Sequence, residues 1–511
     1  MFSDDEESQS VHTEPVAPKH LVKDQNWKKN DNFSNKYQLF PEADFRAYKD
    51  FSPIQLFELF FDEEMWELLI SESRRYALQK GFVDPEISPG EIRCFIGILI
   101  VSGYSPNPGK RYFWDQGADT RNNAIYNAMR RNRFERIMQC LHLNDNTALN
   151  RQDKFSKVRP MVELLQRKFM QHFQPSQHLS HDESIIEYFG KHSCKQCIRN
   201  KPIRFGYKVW CLSSTYGYLI NFDLYQGKTH EGNTELEKVV GKCSATVLHL
   251  LEKLPADKKN LPYVLYFDNL FSSYELVMHL KSMNYLCTGT IRENRLRKCP
   301  IDSVQMLKKR ERGTFSSATD ITNGIHICRW MDNSVVTMVS TAHGDLPISK
   351  TKRFSSKHKK IIEVDYPNVV KSYNQNMGGT DQLNQDTNRL RVGIRSKKWW
   401  WGIFTWLLDA SITNAWNLSK SSGTFMTQIE FRRYIATTYL EKYGEPPFGA
   451  GRPSAKKRPY PSDLRKDRTN HFIVPCKRRR CAGESCTKHP GTMCDKCDVG
   501  LCVACFKPYH V

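Results

Sequence analysis

Three aspartates of this 511-residue chain stand at places where the local pattern is punctuated: Asp182 in HDESIIEYFG, Asp268 at the end of the apolar run VLYFD, and Asp381 after the double glycine of MGGTDQLNQ. A single aspartate at a strand end is usually a turn or helix-cap residue, and each of the three is open to that reading. As a set they allow another. Clustered carboxylates repel one another unless a cation sits among them, and hard oxygen donors suit Mg2+ or Mn2+. Two such ions about 4 Å apart activate a nucleophile and stabilise a leaving oxygen in phosphodiester chemistry.

A second group of chemical residues fills the last stretch. Of 16 cysteines, nine are scattered, and Cys476, Cys481, Cys486, Cys494, Cys497, Cys502 and Cys505 crowd the C-terminal end. Cys481 and Cys486 form a C-x4-C pair, Cys494 with Cys497 and Cys502 with Cys505 form C-x2-C pairs, and His510 follows. Thiolate pairs at such spacings chelate Zn2+ tetrahedrally and supply the folding energy that a small module with few apolar residues lacks. These seven donors fall one short of two zinc sites, and His471, Cys476 and His489 compete for the eighth place.

Elements must position these groups. Residues 1–35 are acidic and then polar, too poor in aliphatic side chains to offset chain entropy, and are expected to be disordered. Residues 36–175 read as helical: Leu56, Leu59, Phe60, Trp66, Leu69 and Ile70 recur at helical spacing after the Ser52-Pro53 start signal. The period then changes. SIIEYF, YKVWCLS, YLINFDL, YVLYFD and YLCTGTI are strand candidates, with the helix TELEKVVGKCSATVLHLLEKL between the third and fourth. Three strands, a helix, a strand, a helix and a strand form the skeleton of an RNase H-like α/β fold, in which the first and fourth strands are neighbours. The core is therefore expected over residues 176–291 and 361–447, interrupted by a polar, basic insertion at 292–360 and closed by a helix carrying Trp400, Phe404, Leu407, Leu408 and Ile412. A Gly/Pro/basic linker, 448–470, leads to the cysteine-rich finger, 471–511.

Lys and Arg number 76 against 55 Asp and Glu, a net charge of +21, which favours a polyanionic partner with nucleic acid first. Lys201, Arg204 and Lys208, interleaved with Phe205 and Tyr207, are the candidate DNA-binding residues; an exposed strand edge protected by charge is the plainer account of them. No apolar run is long enough for a membrane span, and MFSDDEESQS lacks the regions of a signal peptide. An intracellular protein is expected, and AKKRPYPSDLRKDR and CKRRRC read as nuclear import signals or phosphate contacts.

The stretches HDESIIEYFGKHSCKQCIRNKPIRFGYKVW, YFDNLFSSYEL and YPNVVKSYNQNMGGTDQLNQ resemble, in order, the catalytic blocks of the piggyBac transposase family. FELFFDEEMWELLISESRRYA, FIGILIVSGY, MRRNRFERIMQCLHLNDN and FSKVRP resemble its helical DNA-binding and dimerisation region. The resemblance implies a retroviral integrase-like core with Asp182, Asp268 and Asp381 as catalytic, Mg2+-binding aspartates. It further implies a dimer or higher assembly that nicks transposon 3′ ends in double-stranded DNA, passes through end hairpins and joins TTAA targets. One position departs: the family often has an aspartate three residues after the third catalytic one, where this chain has Asn384, an oxygen donor without charge. That leaves a host-adopted DNA-binding or chromatin protein as the alternative. The resemblance also implies a cross-brace finger, the first cysteine pair sharing one zinc with the third, and makes His471 of NHF the eighth ligand; C-x4-C departs from the more usual C-x2-C.

Overall fold

The structure, a computed structural model, describes residues 24–29, 33, 38–82, 86–199, 201–227, 234–356, 358–446, 465–466 and 470–511. Most of the acidic leader and of the basic linker lie outside these. The chain divides into two compact units, Met1–Pro446 and Pro447–Val511.

In the first unit, helices come first: α1 (Pro53–Glu58), α2 (Glu63–Gln79), α3 (Pro89–Tyr104), α4 (Asn123–Ala128), α5 (Arg131–Cys140) and α6 (Arg159–His172). Their starts follow local chemistry. Ser52 closes a capping box with Gln55 and Ser88 with Glu91, and each is followed by Pro, so side chains meet orphan amides at the N-termini of α1 and α3. A short strand, β1 (Trp27–Lys29), precedes them and pairs with a strand of the main sheet, Trp27 opposite Asp320. This departs from the expected disorder of residues 1–35. Trp27 is a large apolar side chain that packs on the core, and Asn26 N donates to the Asp320 carboxylate at 3.1 Å, a partner in sequence too distant to foresee.

The sheet contains β2 (His178–Glu187), β3 (Lys195–Cys197), β4 (Phe205–Ser214), β5 (Leu219–Leu224), β6 (Val264–Phe267), β7 (Leu286–Thr290), β8 (Phe315–Asp320), β9 (Ile325–Met331) and β10 (Val335–Ser340). Its order is β1-β8-β9-β10-β7-β6-β2-β4-β3, with β5 also on β4. β4 runs antiparallel to β2 and β5 to β4, whereas β6 is parallel to both β2 and β7. Parallel neighbours need crossovers, and helices supply them: α7 (Thr234–Val240), α8 (Lys242–Glu252) and α9 (Ala256–Lys259) before β6, α10 (Tyr274–Ser282) after it. The one long helix expected over the first crossover is two, broken at Gly241, whose φ of 94° leaves the helical region.

Between β7 and the C-terminal helices, β8 to β10 extend the same sheet as an antiparallel meander, α11 (Val304–Leu307) precedes them, and β11 (Ser349–Ser355) pairs with β12 (Lys360–Tyr366) as a separate ribbon. The first unit ends with α12 (Asn368–Asn376), α13 (Gly379–Arg389), α14 (Trp401–Ser421) and α15 (Gln428–Tyr443). Trp400, Phe404, Leu407, Leu408 and Ile412 are buried, as their spacing predicts. Inside α14 and α15 the Asp409–Arg432 pair, 2.7 Å apart, is buried on both sides. None of the described helices is long and apolar enough to cross a membrane.

Candidate active site and metal-binding finger

β2 starts six residues earlier than the SIIEYF pattern suggests, so Asp182 lies inside the strand instead of entering it. The hidden part, HLSHDE, is polar yet largely buried between its sheet neighbours; His181 Nε2 pairs with Thr246 Oγ1 at 3.1 Å, while Ser180 Oγ and His181 Nδ1 are buried without a hydrogen-bond partner among the described residues. Register then places the second carboxylate. His181 lies opposite Phe267 in the parallel β2/β6 pair, so Asp268, one residue beyond, comes level with Asp182 and on the same face. The turn reading of Asp268 is also real, since its Oδ1 accepts from Leu270 N at 2.8 Å; Ser273, five residues on, caps α10.

Asp381 arrives on α13, and three contacts fix that helix against β2 and β4. A Cβ at Gly379 would lie 2.2 Å from Ser214 O and 2.5 Å from Ser180 Oγ, so only glycine lets the helix start this close to the strands. Thr380 Oγ1 meets Ser213 Oγ at 3.3 Å, and Ser184 Oγ donates to Asn384 Oδ1 at 2.5 Å. Ser180, Asp182 and Ser184 alternate onto one face of β2. With the outer two against α13, Asp182 between them faces the helix whose first turn carries Asp381.

The electrostatics agree with convergence. Burial, then Glu183 and Asp268, pushes the Asp182 carboxyl up to about 7. Burial chiefly raises Asp268 as well, with Glu183 adding to it. Burial works against the charge of Lys201, yet Asp182, Glu183 and Asp381 together hold its ammonium above the ordinary lysine range. The Tyr373 hydroxyl is raised by burial first, and Asp268, Asp182 and Asp381 all add to the shift. One lysine and one tyrosine thus sense the group together. Tyr373 was not legible in sequence; its position in YPNVVKSYNQN carries no signal of its own. The three aspartates are spread more widely than a single-ion cage: among the described residues, only two groups of three or more donors lie within 4.8 Å, both in the finger. The donor chemistry still fits a divalent cation, because burial and neighbouring carboxylates raise Asp182 and Asp268 although Lys201 opposes the shift.

Of the three candidate DNA-binding residues, Arg204 is exposed, whereas Lys201 and Lys208 turn toward Glu183, at 3.5 and 3.9 Å. Lys208 also sits 4.1 Å from the Trp210 ring centre. Trp400 and Trp401 are core, and Trp399 stacks on His192 at 4.4 Å.

The second unit holds β13 (Ile473–Pro475), β14 (Thr492–Cys494), β15 (Val499–Gly500) and α16 (Val503–Tyr509). Its donors form two interleaved groups: Cys481, Cys486, Cys502 and Cys505, and His471, Cys494, Cys497 and His510. Cys476 and His489 lie outside both. Cys502 Sγ is 3.9 Å from Cys481 Sγ and 4.0 Å from Cys486 Sγ, close to the roughly 3.8 Å edge of a tetrahedron with 2.3 Å zinc–sulfur bonds. His471 Nδ1 and His510 Nε2 each approach Cys497 Sγ to 3.5 Å. His510 Nδ1 lies 2.7 Å from Phe506 O, which fixes the ring with Nε2 toward the cysteines. The longer C-x4-C loop closes through Ser485 at φ 63°, a left-handed residue that returns the chain to Cys486. All 16 cysteines are free of disulfides, and the two groups could hold one zinc each.

Comparison with known proteins is consistent with this picture. A family model described as Transposase IS4 matches residues 52–416. The chain is 41% identical over 463 residues to PiggyBac transposable element-derived protein 3 of Homo sapiens, covering 90% of this chain and 76% of that one. It is 35% identical over 515 residues to the human PiggyBac transposable element-derived protein 2, covering 99% and 85%. Among solved structures, it superposes with a TM-score of 0.63 at 20% identity on a piggyBac transposase, from the cryo-EM structure of its synaptic complex with hairpin DNA, covering 92% of this chain and all of that one. The last comparison bears on fold alone. With sequence blocks, family model and relatives in agreement, the chain belongs to the piggyBac family of transposases and transposase-derived proteins.

Proposed function

We propose that this protein is a metal-dependent DNA transposase, cutting transposon ends through hairpin intermediates and joining them to TTAA targets in the nucleus as a dimer or higher assembly. The observation that carries the reading is the register that sets Asp182 and Asp268 level on one sheet face with the first turn of α13, and Asp381, packed over it. We read the sheet as an RNase H-like core. Mg2+ or Mn2+, when bound by Asp182, Asp268 and Asp381 with Asn384 as a further oxygen donor, would supply the activated nucleophile and the stabilised leaving oxygen.

The chain's own residues do the rest. β2 and β6 hold the two carboxylates on rigid strands, and α13 sets the third. Lys201, held 3.5 Å from Glu183 and in the field of Asp182 and Asp381, offers a cation to a scissile phosphate beside the acids. Arg204 and the excess of basic residues attract the DNA backbone. The finger, with two zincs, provides a second DNA-binding surface.

Asn384 favours a second reading, a host-adopted DNA-binding protein that keeps the fold with weak or no catalysis, since an amide contributes no charge to a cation site. A plasmid excision assay with the cognate terminal repeats separates the two. Precise excision that disappears with Asp268→Ala supports the transposase; DNA binding without excision in Mg2+ or Mn2+ supports the alternative.

A further inference from the structure

Past Asp182, β2 runs out beside β4, which carries β3 on its other edge, and there the surface changes character. Phe189 is 71% exposed and Phe205 40% exposed, with ring centres 6.4 Å apart and planes tilted by 52°. Adjacent phenylalanines left in water forgo the burial that apolar surface normally gains. Their support is rigid. Tyr188 stacks on Tyr207 at 4.9 Å behind them, and Tyr188 N donates to Phe205 O at 3.1 Å. Gly206 brings the strands so close that a Cβ there would lie 2.0 Å from Ile186 O.

Charge surrounds the pair. Between Glu187 and Lys208 the chain has Lys191, Lys195, Arg199, Lys201 and Arg204, and no acid. Glu187 itself is paired with Arg391 at 2.9 Å. Lys191, Arg199 and Arg204 are exposed. We propose that the Phe189–Phe205 corner is a stacking platform for unpaired nucleotides of DNA, the bases lying on the rings and the phosphates held by these cations. Exposed aromatic faces set among lysines and arginines bind single strands, because every base has a stackable face and every phosphate a charge. A closed duplex hides its base faces and would use only the cations.

The placement ties this platform to the candidate active site, and the inference rests on the reading of that site as one that cuts DNA. The six strand positions from Asp182 to Tyr188 span about 20 Å, which is about six nucleotides at a 3.4 Å rise. An unpaired strand of that length leaving a phosphate at Asp182 therefore spans the distance to the rings.

The test uses the zinc-loaded full-length protein and two DNA probes of identical duplex sequence. One is blunt; the other carries a single-stranded extension of about eight nucleotides containing 2-aminopurine. Stacking quenches the fluorophore. Phe189→Ala with Phe205→Ala is expected to abolish the quenching and weaken the extended probe about tenfold or more, with the blunt probe changed less than about twofold. Phe189→Tyr with Phe205→Tyr keeps both stacking faces and should restore the wild-type behaviour. Equal weakening of both probes, no weakening of either, or absence of quenching in the wild type overturns the platform. Strand cleavage is scored in parallel with Asp268→Ala. If wild-type cleavage is present and lost in that variant while the aromatic variants bind both probes alike, the platform alone fails. If no metal-dependent cleavage occurs but the selective loss is seen, the reading of the aspartates fails and the platform remains as a DNA-binding site.

Discussion

Asp182 owes its position to two serines. Ser180 and Ser184 flank it on the same strand face, and both are taken up by α13, so the carboxylate between them has one direction to face. Asp268 ends an apolar run and Asp381 follows a double glycine, but each alone reads as a turn or cap, and the three stood out as a set only through the blocks that resemble the family. Sequence singled out Lys201 only as a DNA-binding candidate, with nothing to place it beside the acids, and Tyr373 looked like an ordinary helix residue. Asn384 gives the clearest test at this scale. Its Oδ1 accepts the Ser184 hydroxyl, a bond that a carboxylate accepts equally well. Asn384→Asp therefore adds charge without disturbing the packing, and Mn2+ binding measured by electron paramagnetic resonance titration should tighten about tenfold. Unchanged affinity would place residue 384 outside the cation's reach.

The double glycine before Asp381 shows what an element adds to a sequence. Sequence marks both residues alike, but only Gly379 meets the backbone of β4, whereas a Cβ at Gly378 would have nothing within 4 Å. Gly379→Ala should cost about 1–3 kcal/mol by pushing α13 off the sheet, and lower DNA cleavage with it. Gly378→Ala, at φ −73°, should change neither. Thermal melts beside activity assays compare the pair directly. Strand order and the breaking of the crossover helix at Gly241 follow the same lesson. Apolar runs and aromatic content revealed β4 to β7, whereas the polar start of β2 and the isolated β1 depend on partners hundreds of residues away or across the sheet.

Half-buried histidines, His172 at the end of α6 and His343 just after β10, also make stability depend on pH. Burial first of all lowers His172 and His343 from 6.5 to about 4. His172 is further opposed by Lys168 and Lys258 and favoured by Asp62, and His343 is opposed by His178, with which it shares the Tyr266 hydroxyl. The unfolded chain thus binds protons that the folded chain refuses. Stability is full above about pH 6.5 and falls as the pH drops toward about 4, each histidine contributing of order 1–3 kcal/mol. Melting temperature measured across this window should fall less steeply in His172→Gln than in the wild type. Parallel slopes would show that this ring is protonated without cost.

At the scale of the whole molecule, the two units should respond separately to loss of metal. The finger has few buried apolar side chains besides Val499 and Leu501 and its cysteines, so its donors must be bridged for it to hold together. The cysteine pairs were legible in their spacing, whereas their interleaving was implied only by the resemblance to the family's cross-brace finger, and the two donor groups have that arrangement. Spacing alone left three candidates for the eighth donor; the resemblance chose His471, and the fold brings it to Cys494 and Cys497 across β13 and β14. Elemental analysis should find two zincs per chain, and one in Cys486→Ala. Chelation should expose the amides of residues 471–511 to hydrogen exchange while the first unit keeps its protection and its melt. Simultaneous loss in both units would contradict their independence.

The central claim is that Asp182, Asp268 and Asp381 act together as a cation site that breaks DNA strands. Single-turnover cleavage of an end-labelled terminal-repeat duplex, with Mg2+ or Mn2+, tests it most directly in the wild type and in Asp268→Asn. The asparagine keeps an acceptor for Leu270 N and removes only the charge. The expected result is a new 3′-hydroxyl end that requires the cation and falls by about a thousandfold or more in the variant, with DNA affinity and melting temperature retained. Equal cleavage by both proteins, or none by a wild-type protein that binds the same DNA, would contradict the claim.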